Sequence, residues 1–257
     1  MGSNRLFVES VGSGPAVLFI HSGVTDSRMW NQQFEAPGDH QLIRFDMRGY
    51  GQSALGSEKF SNPVDAMTVL DDLEIDTAVV VGCSVGGNVA LQIVSLTPER
   101  VDGLVLVGTD APGFDPGIDY QSPEWPDVVA AFQADDLVRA AELEAEIWLA
   151  GIGRSIADMD SELVELFIEM DLNALRNEDE RDELETSTPL HSLPKVEVPV
   201  RVIVGELDIP QMHAAGSHLA EELSDQPAVV IAESAHLPSM DQPGTFNRAL
   251  EAFLTAL

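Results

Sequence analysis

Residues Ala78 to Val81 are apolar, β-branched after the first, and too few to make a helix with both ends capped, so they predict a strand buried on both faces of a parallel sheet. Asn88 to Leu96 predicts a helix. The link, Gly82-Cys83-Ser84-Val85-Gly86-Gly87, then has to turn sharply at Ser84 in a strained backbone conformation. Neighbouring chain passes so close to such a turn that side chains two residues to either side would collide with it. Gly82 and Gly86 remove those side chains. The turn lifts the Ser84 hydroxyl clear of the sheet edge, at the positive end of the helix, where negative charge on a reacting oxygen is stabilised. The stretch thus predicts both an α/β architecture and a nucleophile.

The rest of the chain supplies the alternation that such a sheet needs. Arg5 to Glu9, Ala16 to Ile20, Gln41 to Phe45, Val101 to Val107, Val198 to Val204 and Ala228 to Ile231 predict strands, the first two joined by the turn Gly12-Ser13-Gly14-Pro15. Helices are predicted over Asp26 to Phe34, Pro63 to Leu73, Ala214 to Leu223 and Pro243 to Leu257. Strands alternating with helices predict a doubly wound, mostly parallel sheet with right-handed crossovers. From Ala111 to about Leu190 the pattern changes to helical spacing with no buried strand: Leu137, Ala141, Ala145 and Trp148, then Leu163, Phe167, Met170 and Ala174. Residues 111–190 are therefore read as a helical cap inserted into a core of residues 1–110 and 191–257.

Charge narrows the partners. The chain carries 44 acidic against 13 basic residues, a formal net charge of −31, with 21 of the acids and four arginines between Asp115 and Glu185 in the predicted cap. Such a balance disfavours nucleic acid and anionic membrane surfaces. It fits either a highly soluble surface or a salty cytoplasm in which dense carboxylates stay screened. No apolar run approaches 18 residues and the N-terminus lacks a basic-then-apolar signal region, so a cytoplasmic protein is expected. The single cysteine, Cys83, excludes an internal disulfide framework and a cysteine-based zinc site. His213 and His218 are five apart and do not share a helix face, while His40 and His191 stand alone, so no metal and no cofactor is expected.

A serine hydroxyl becomes a nucleophile when a base takes its proton, and the base needs an acid to hold its tautomer and stabilise its cation. Ser84, Asp208 and His236 each follow a predicted strand, in that order along the chain. Asp110, after the strand beside the elbow strand, and Glu206, two residues before Asp208, compete for the role of acid. His21-Ser22-Gly23-Val24 predicts a tight loop in which Gly23 offers its N–H to an oxyanion beside the N–H of Val85, with His21 pinning the loop. Asp46 and Arg48 are read as a loop-bracing charge pair.

Taken together, His21-Ser22-Gly23, Asp46 to Ser53, Gly82 to Gly87, Gly205 to Asp208 and Ala235 to Pro238 resemble the landmarks of the α/β-hydrolase fold family over nearly the whole chain. The run His21 to Trp30 and the ending through Asp241-Gln242-Pro243 look most like the branch holding 3-oxoadipate enol-lactonases and small carboxylesterases. The resemblance implies Ser84 as nucleophile, His236 as base and then acid, Asp208 as its orienter, and Gly23 and Val85 as oxyanion donors. Ser22 and Ala235 stand where the family often has glycine. Serine at the elbow argues against haloalkane dehalogenases and epoxide hydrolases, which resemble this chain but have aspartate there. The expected activity is hydrolysis of a small, largely apolar ester or lactone through an acyl-enzyme, in a pocket under the cap with Trp30, Trp125 and Trp148 as wall residues. Two alternatives stand beside it: a carbon–carbon bond hydrolase of ring-cleavage products using the same three residues, and a hydrolase-like ligand receptor with little turnover.

Overall fold

The computed structural model describes residues 6–35, 37–178, 181 and 196–257. Seven strands form one sheet: β1 (Val8–Gly12), β2 (Ala16–Ile20), β3 (Gln41–Phe45), β4 (Ala78–Cys83), β5 (Val101–Val107), β6 (Val200–Gly205) and β7 (Val229–Ile231). Their order is β1-β3-β2-β4-β5-β6-β7, parallel throughout except where β1 pairs antiparallel with β3. The winding reverses between β2 and β4, which lie side by side with Ile20 opposite Gly82. Ligands of doubly wound sheets bind beyond the strand ends at such a reversal.

Alternate residues of the central strands feed separate cores. Leu18, Ile20, Val80, Leu104 and Leu106 pack on one face under the helices Asn62–Asp72, Val85–Leu96 and Pro210–Leu223. Val17, Phe19, Val79, Val81, Val105 and Val107 pack on the other against Trp30, the helix Pro243–Thr255 and residues between β5 and β6 such as Leu149 and Phe167. Because both faces are covered, β2 and β4 are buried from end to end, which is why they read as unbroken apolar runs.

Several boundaries differ from the sequence reading. β6 starts at Val200, not Val198, and the helix Pro210–Leu223 starts four residues before the predicted Ala214. The first strand runs Val8–Gly12, later than the predicted Arg5 to Glu9, whose start lies outside the described residues. Phe7 carries part of the apolar signal, but its N–H donates to Ser53 Oγ and its carbonyl accepts from Asp46 N–H, so it anchors a loop ahead of the strand. The elbow helix begins at Val85, three residues before the predicted Asn88, because Gly86 and Gly87 hide the helical period.

Between β5 and β6 the described residues hold the helices Trp125–Gln133, Leu137–Glu144 and Ser161–Arg176 and a π-helical turn, Ala145–Ala150, with no strand. The predicted stripes point inward: Ala141, Ala145, Phe167, Met170 and Ala174 are buried. The predicted return to the core at residue 191 lies outside the described residues. No helix among the described residues is long and apolar enough to cross a membrane.

Candidate active site

The elbow is built by what its glycines lack. Ser84 has φ 52° and ψ −116°, a conformation that costs an L-residue about 1–3 kcal/mol, and its N–H donates to Val107 O at 2.8 Å. A Cβ at Gly82 would fall on the Gly86 carbonyl, and one at Gly86 on the carbonyls of Ile20 and His21. The same holds at Gly87, where a Cβ would strike the Thr109 side chain, a third requirement that the sequence reading did not assign. The N–H groups of Gly87 and Asn88 return to Ser84 O at 2.9 and 3.1 Å.

Gly23 comes to the same place from β2. A Cβ there would lie 3.1 Å from Val85 Cγ2, and neither the Gly23 nor the Val85 N–H is taken by another of the described residues. His21 holds this loop: Nδ1 donates to Ser22 O at 2.7 Å and Nε2 accepts from Met47 N–H at 2.9 Å. That pattern uses one donor and one acceptor, as neutral imidazole allows, and burial lowers the pKa against the opposing pull of Asp46. Asp46 and Arg48 do not brace each other as predicted. Asp46 accepts from Ser27 N–H at 2.8 Å and Gln52 N–H at 2.7 Å, while Arg48 pairs with Asp65 at 2.6 Å. The side chains two apart along this loop diverge, so proximity in sequence misled.

His236 follows β7. Its N–H donates to Trp148 O at 3.2 Å, and its Nδ1 lies 2.8 Å from Asp208 Oδ2, with both residues at most 3% exposed. The other Asp208 oxygen accepts from Ile209 N–H at 2.8 Å. The competing acids are otherwise engaged: Asp110 is exposed and takes the Ala111 N–H at 2.8 Å, and Glu206 takes the Glu233 N–H at 2.9 Å. Cys83 is buried, and desolvation first, then the Asp208 charge, raises its pKa far above that of an ordinary thiol.

A cavity of about 400 Å³ joins these pieces, lined by Gly23, Ser84, Val85 and His236 together with Trp125 and Trp148. The Trp148 ring sits 4.8 Å from that of His236. Trp30, expected as a third wall residue, is instead fully buried in the core, 5.1 Å from Phe19 and 6.0 Å from Phe246. Phe19 and Phe246 enclose the Trp30 ring, so it packs in the core beneath the cavity-lining residues Val24 and Trp148 without lining the cavity itself. Two larger hollows, about 680 Å³ beside β1 and 610 Å³ around Arg28 and Arg44, contain neither Ser84 nor His236. Among the described residues no group of three or more His, Cys, Asp or Glu side chains is placed to hold a metal.

A family model described as alpha/beta hydrolase fold matches residues 15–150, more than half of the chain. The chain belongs to this family. The α/β-hydrolase is 26% identical to 3-oxoadipate enol-lactonase 2 of Acinetobacter baylyi, over 93% of this chain and 88% of that one. It is 27% identical to pimeloyl-[acyl-carrier protein] methyl ester esterase of Pectobacterium carotovorum, over 98% and 99% of the two chains. Among solved structures, "Est816 as an N-Acyl homoserine lactone degrading enzyme" is similar with a TM-score of 0.75 and 25% identity, over 96% of each chain.

In this α/β-hydrolase, sequence reasoning missed a clamp on the His236 loop. Arg154 donates to Ala150 O at 2.8 Å, Glu233 O at 2.7 Å and Asp241 Oδ2 at 2.9 Å. Asp241 in turn accepts from Ser234 Oγ at 2.6 Å and Ala235 N–H at 2.9 Å. Asp241 stood in the family-like ending, but nothing in the spacing of Arg154 marked its reach across 87 residues. Also missed were Glu144 and Asp171, two buried acids of the cavity wall hidden within the acidic composition of the predicted cap.

Proposed function

We propose that this α/β-hydrolase cleaves small carboxylic esters or lactones through an acyl-enzyme on Ser84. The observation that carries the reading is the buried His236–Asp208 pair at 2.8 Å, opening onto the cavity in which the strained Ser84 turn also lies. His236, its Nδ1 proton held by Asp208, takes the Ser84 proton at Nε2 as the oxygen attacks the carbonyl carbon. The Gly23 and Val85 N–H groups receive the negative charge that develops on the carbonyl oxygen. The intermediate collapses, the alkoxide leaves with the proton from His236, and the acyl group stays on Ser84. Water then attacks the acyl-enzyme with His236 again as base, releasing the acid. For a lactone the leaving alcohol remains tethered to that acid. Residues between β5 and β6 act in this reading as a cap that excludes water and shapes the pocket. The cytoplasm is the proposed setting.

A panel of chromogenic esters and lactones of graded acyl length tests the reading. Ser84→Ala deletes only the hydroxyl, so it is expected to keep the fold and lose about a million-fold in kcat. A variant that keeps most of the rate excludes Ser84 as nucleophile.

A further inference from the structure

The cavity wall is not uniformly apolar. Asp110, Glu144, Asp171 and Glu178 line it, against the single guanidinium of Arg181. Arg181 is drawn to one side, stacked 4.0 Å over the Tyr50 ring and donating to Gly49 O at 3.2 Å and Ala174 O at 2.8 Å. Glu144, the last residue of Leu137–Glu144, meets Asp171 from the middle of Ser161–Arg176, and both are more than nine-tenths buried. The two carboxyl groups act on each other, and burial above all holds both above the ordinary carboxylate range.

Other buried carboxylates among the described residues are compensated. Asp26 accepts from the Arg28 guanidinium, Asp46 from two backbone N–H groups, Asp208 from an N–H and an imidazole, and Asp241 from Arg154 and an N–H. No such donor reaches Asp171 Oδ2, which is buried without a partner among the described residues. A buried acid without such donors costs stability, and burial with the neighbouring charges raises Asp171 well above 3.8 and Glu144 to about 7. A structural role would be served better by a satisfied pair or by apolar residues. Both acids line the cavity, as do Trp125 and Trp148. Carboxylates and aromatic faces are the two groups that receive a cationic amine.

We propose that Glu144 and Asp171, flanked by Trp125 and Trp148, form a specificity subsite that takes the ammonium group of a cationic ester or lactone. The assignment rests on the reading of the Ser84 cavity as a substrate site. An ammonium donates N–H bonds to the carboxyl oxygens of the pair and adds positive charge to a wall where four acids meet Arg181. A carboxylate-ended acyl chain meets like charge there, so the subsite separates this enzyme from hydrolases of anionic lactones.

Three 4-nitrophenyl esters of matched length test it: 6-aminohexanoyl, heptanoyl and adipoyl. The expected kcat/KM order is ammonium above alkyl above carboxylate, with about a tenfold advantage of ammonium over alkyl, the effect of one charge-assisted hydrogen bond. Glu144→Gln with Asp171→Asn keeps the shape of the pair and is expected to bring that ratio close to one; Glu144→Gln alone provides a milder version should the double variant fold poorly. A wild-type ratio at or below one, or a ratio that the variants leave unchanged, overturns the subsite. Calorimetric titration of the Ser84→Ala protein with pentylammonium, pentanol and pentanoate separates binding from turnover. Tighter binding of pentylammonium supports the subsite even if none of the esters is hydrolysed, in which case the hydrolytic reading fails alone. Equal binding of all three overturns the subsite.

Discussion

Asp208→Asn is expected to slow turnover by about 10⁴-fold, or about 5 kcal/mol of transition-state stabilisation, while leaving KM nearly unchanged. The magnitude follows from which oxygen does what. One Asp208 oxygen is fixed as acceptor of the Ile209 N–H at 2.8 Å, so the new amide keeps its oxygen there and turns its NH₂ toward His236 Nδ1, also 2.8 Å away. Two donors cannot face each other, so Nδ1 gives up its proton, Nε2 carries one instead, and the base can no longer accept from Ser84. The imidazolium formed during reaction also loses a buried counter-charge. Asp208 does not line the cavity, hence the small effect on KM. Asp110→Asn is the comparison: Asp110 stands at the cavity wall but, among the described residues, its carboxylate accepts the N–H of Ala111, which an amide oxygen serves equally well, so its kcat is expected within a few-fold of wild type. Both variants are assayed on one ester at one pH, with circular dichroism to confirm folding. A larger fall for Asp110→Asn than for Asp208→Asn refutes the assignment.

Stability is expected to rise with potassium chloride, since a net charge of −31 repels itself and screening shortens from about 10 Å at 0.1 M to about 3 Å at 1 M; a melting temperature that is flat or falls across that range counts against this. Because the Glu144 pKa is raised from 4.5 to about 7, the folded state binds more protons than the unfolded one, so its stabilisation is complete below about pH 4 and is lost as pH climbs through 7. The melting temperature should therefore fall between pH 5 and pH 8, and Glu144→Gln should flatten that slope; an unchanged slope in the variant would show the pair is not its source. Cys83, buried and with a strongly raised pKa, should resist a thiol-specific disulfide reagent in the native protein and react after denaturation; fast native labelling would contradict the burial. Gly86→Ala should destabilise the fold by roughly 3 kcal/mol or more in urea melts, since the added carbon meets backbone carbonyls of Ile20 and His21 that cannot swing aside; a cost below about 1 kcal/mol would mean the elbow yields more than its geometry implies.

What could be read from the sequence was what local backbone chemistry enforces. Ser84 must turn, Gly82 and Gly86 must be bare, and a fully buried strand must be apolar at every position, so the elbow, β2 and β4 appear as expected, as does β5 beyond its exposed Asp102. The meeting of Asp208 with His236 was legible because each loop follows a strand and parallel strands deliver their ends to one edge. Failures came where a side chain's direction is set by distant packing. Trp30 has the same composition signal whether it faces a pocket or the core, and Phe246 across the chain decides the matter. The supposed Asp46–Arg48 pair failed for the same reason, since Asp65 on the helix Asn62–Asp72 claims the arginine. Glu144 and Asp171 were invisible because 21 acids in one segment look alike until burial distinguishes two of them.

The Arg154 clamp bears on how this enzyme could be recombined with its relatives. The carbonyl of Trp148 takes the backbone proton of His236, Ile152 N–H donates to Leu207 O at 2.8 Å, and a Cβ at Gly151 would press on Leu207 and Ala235. Residues 148–154 therefore hold His236 and its neighbourhood in place although they lie between β5 and β6, within the stretch proposed as a cap. A chimera that exchanged the whole stretch between β5 and β6 as a cassette would replace the cavity wall and dismantle the seat of the histidine in the same cut. Junctions that retain 148–154 with the recipient core, together with the residues around Asp241 that Arg154 grips, would confine the exchange to the part of the wall that meets substrate.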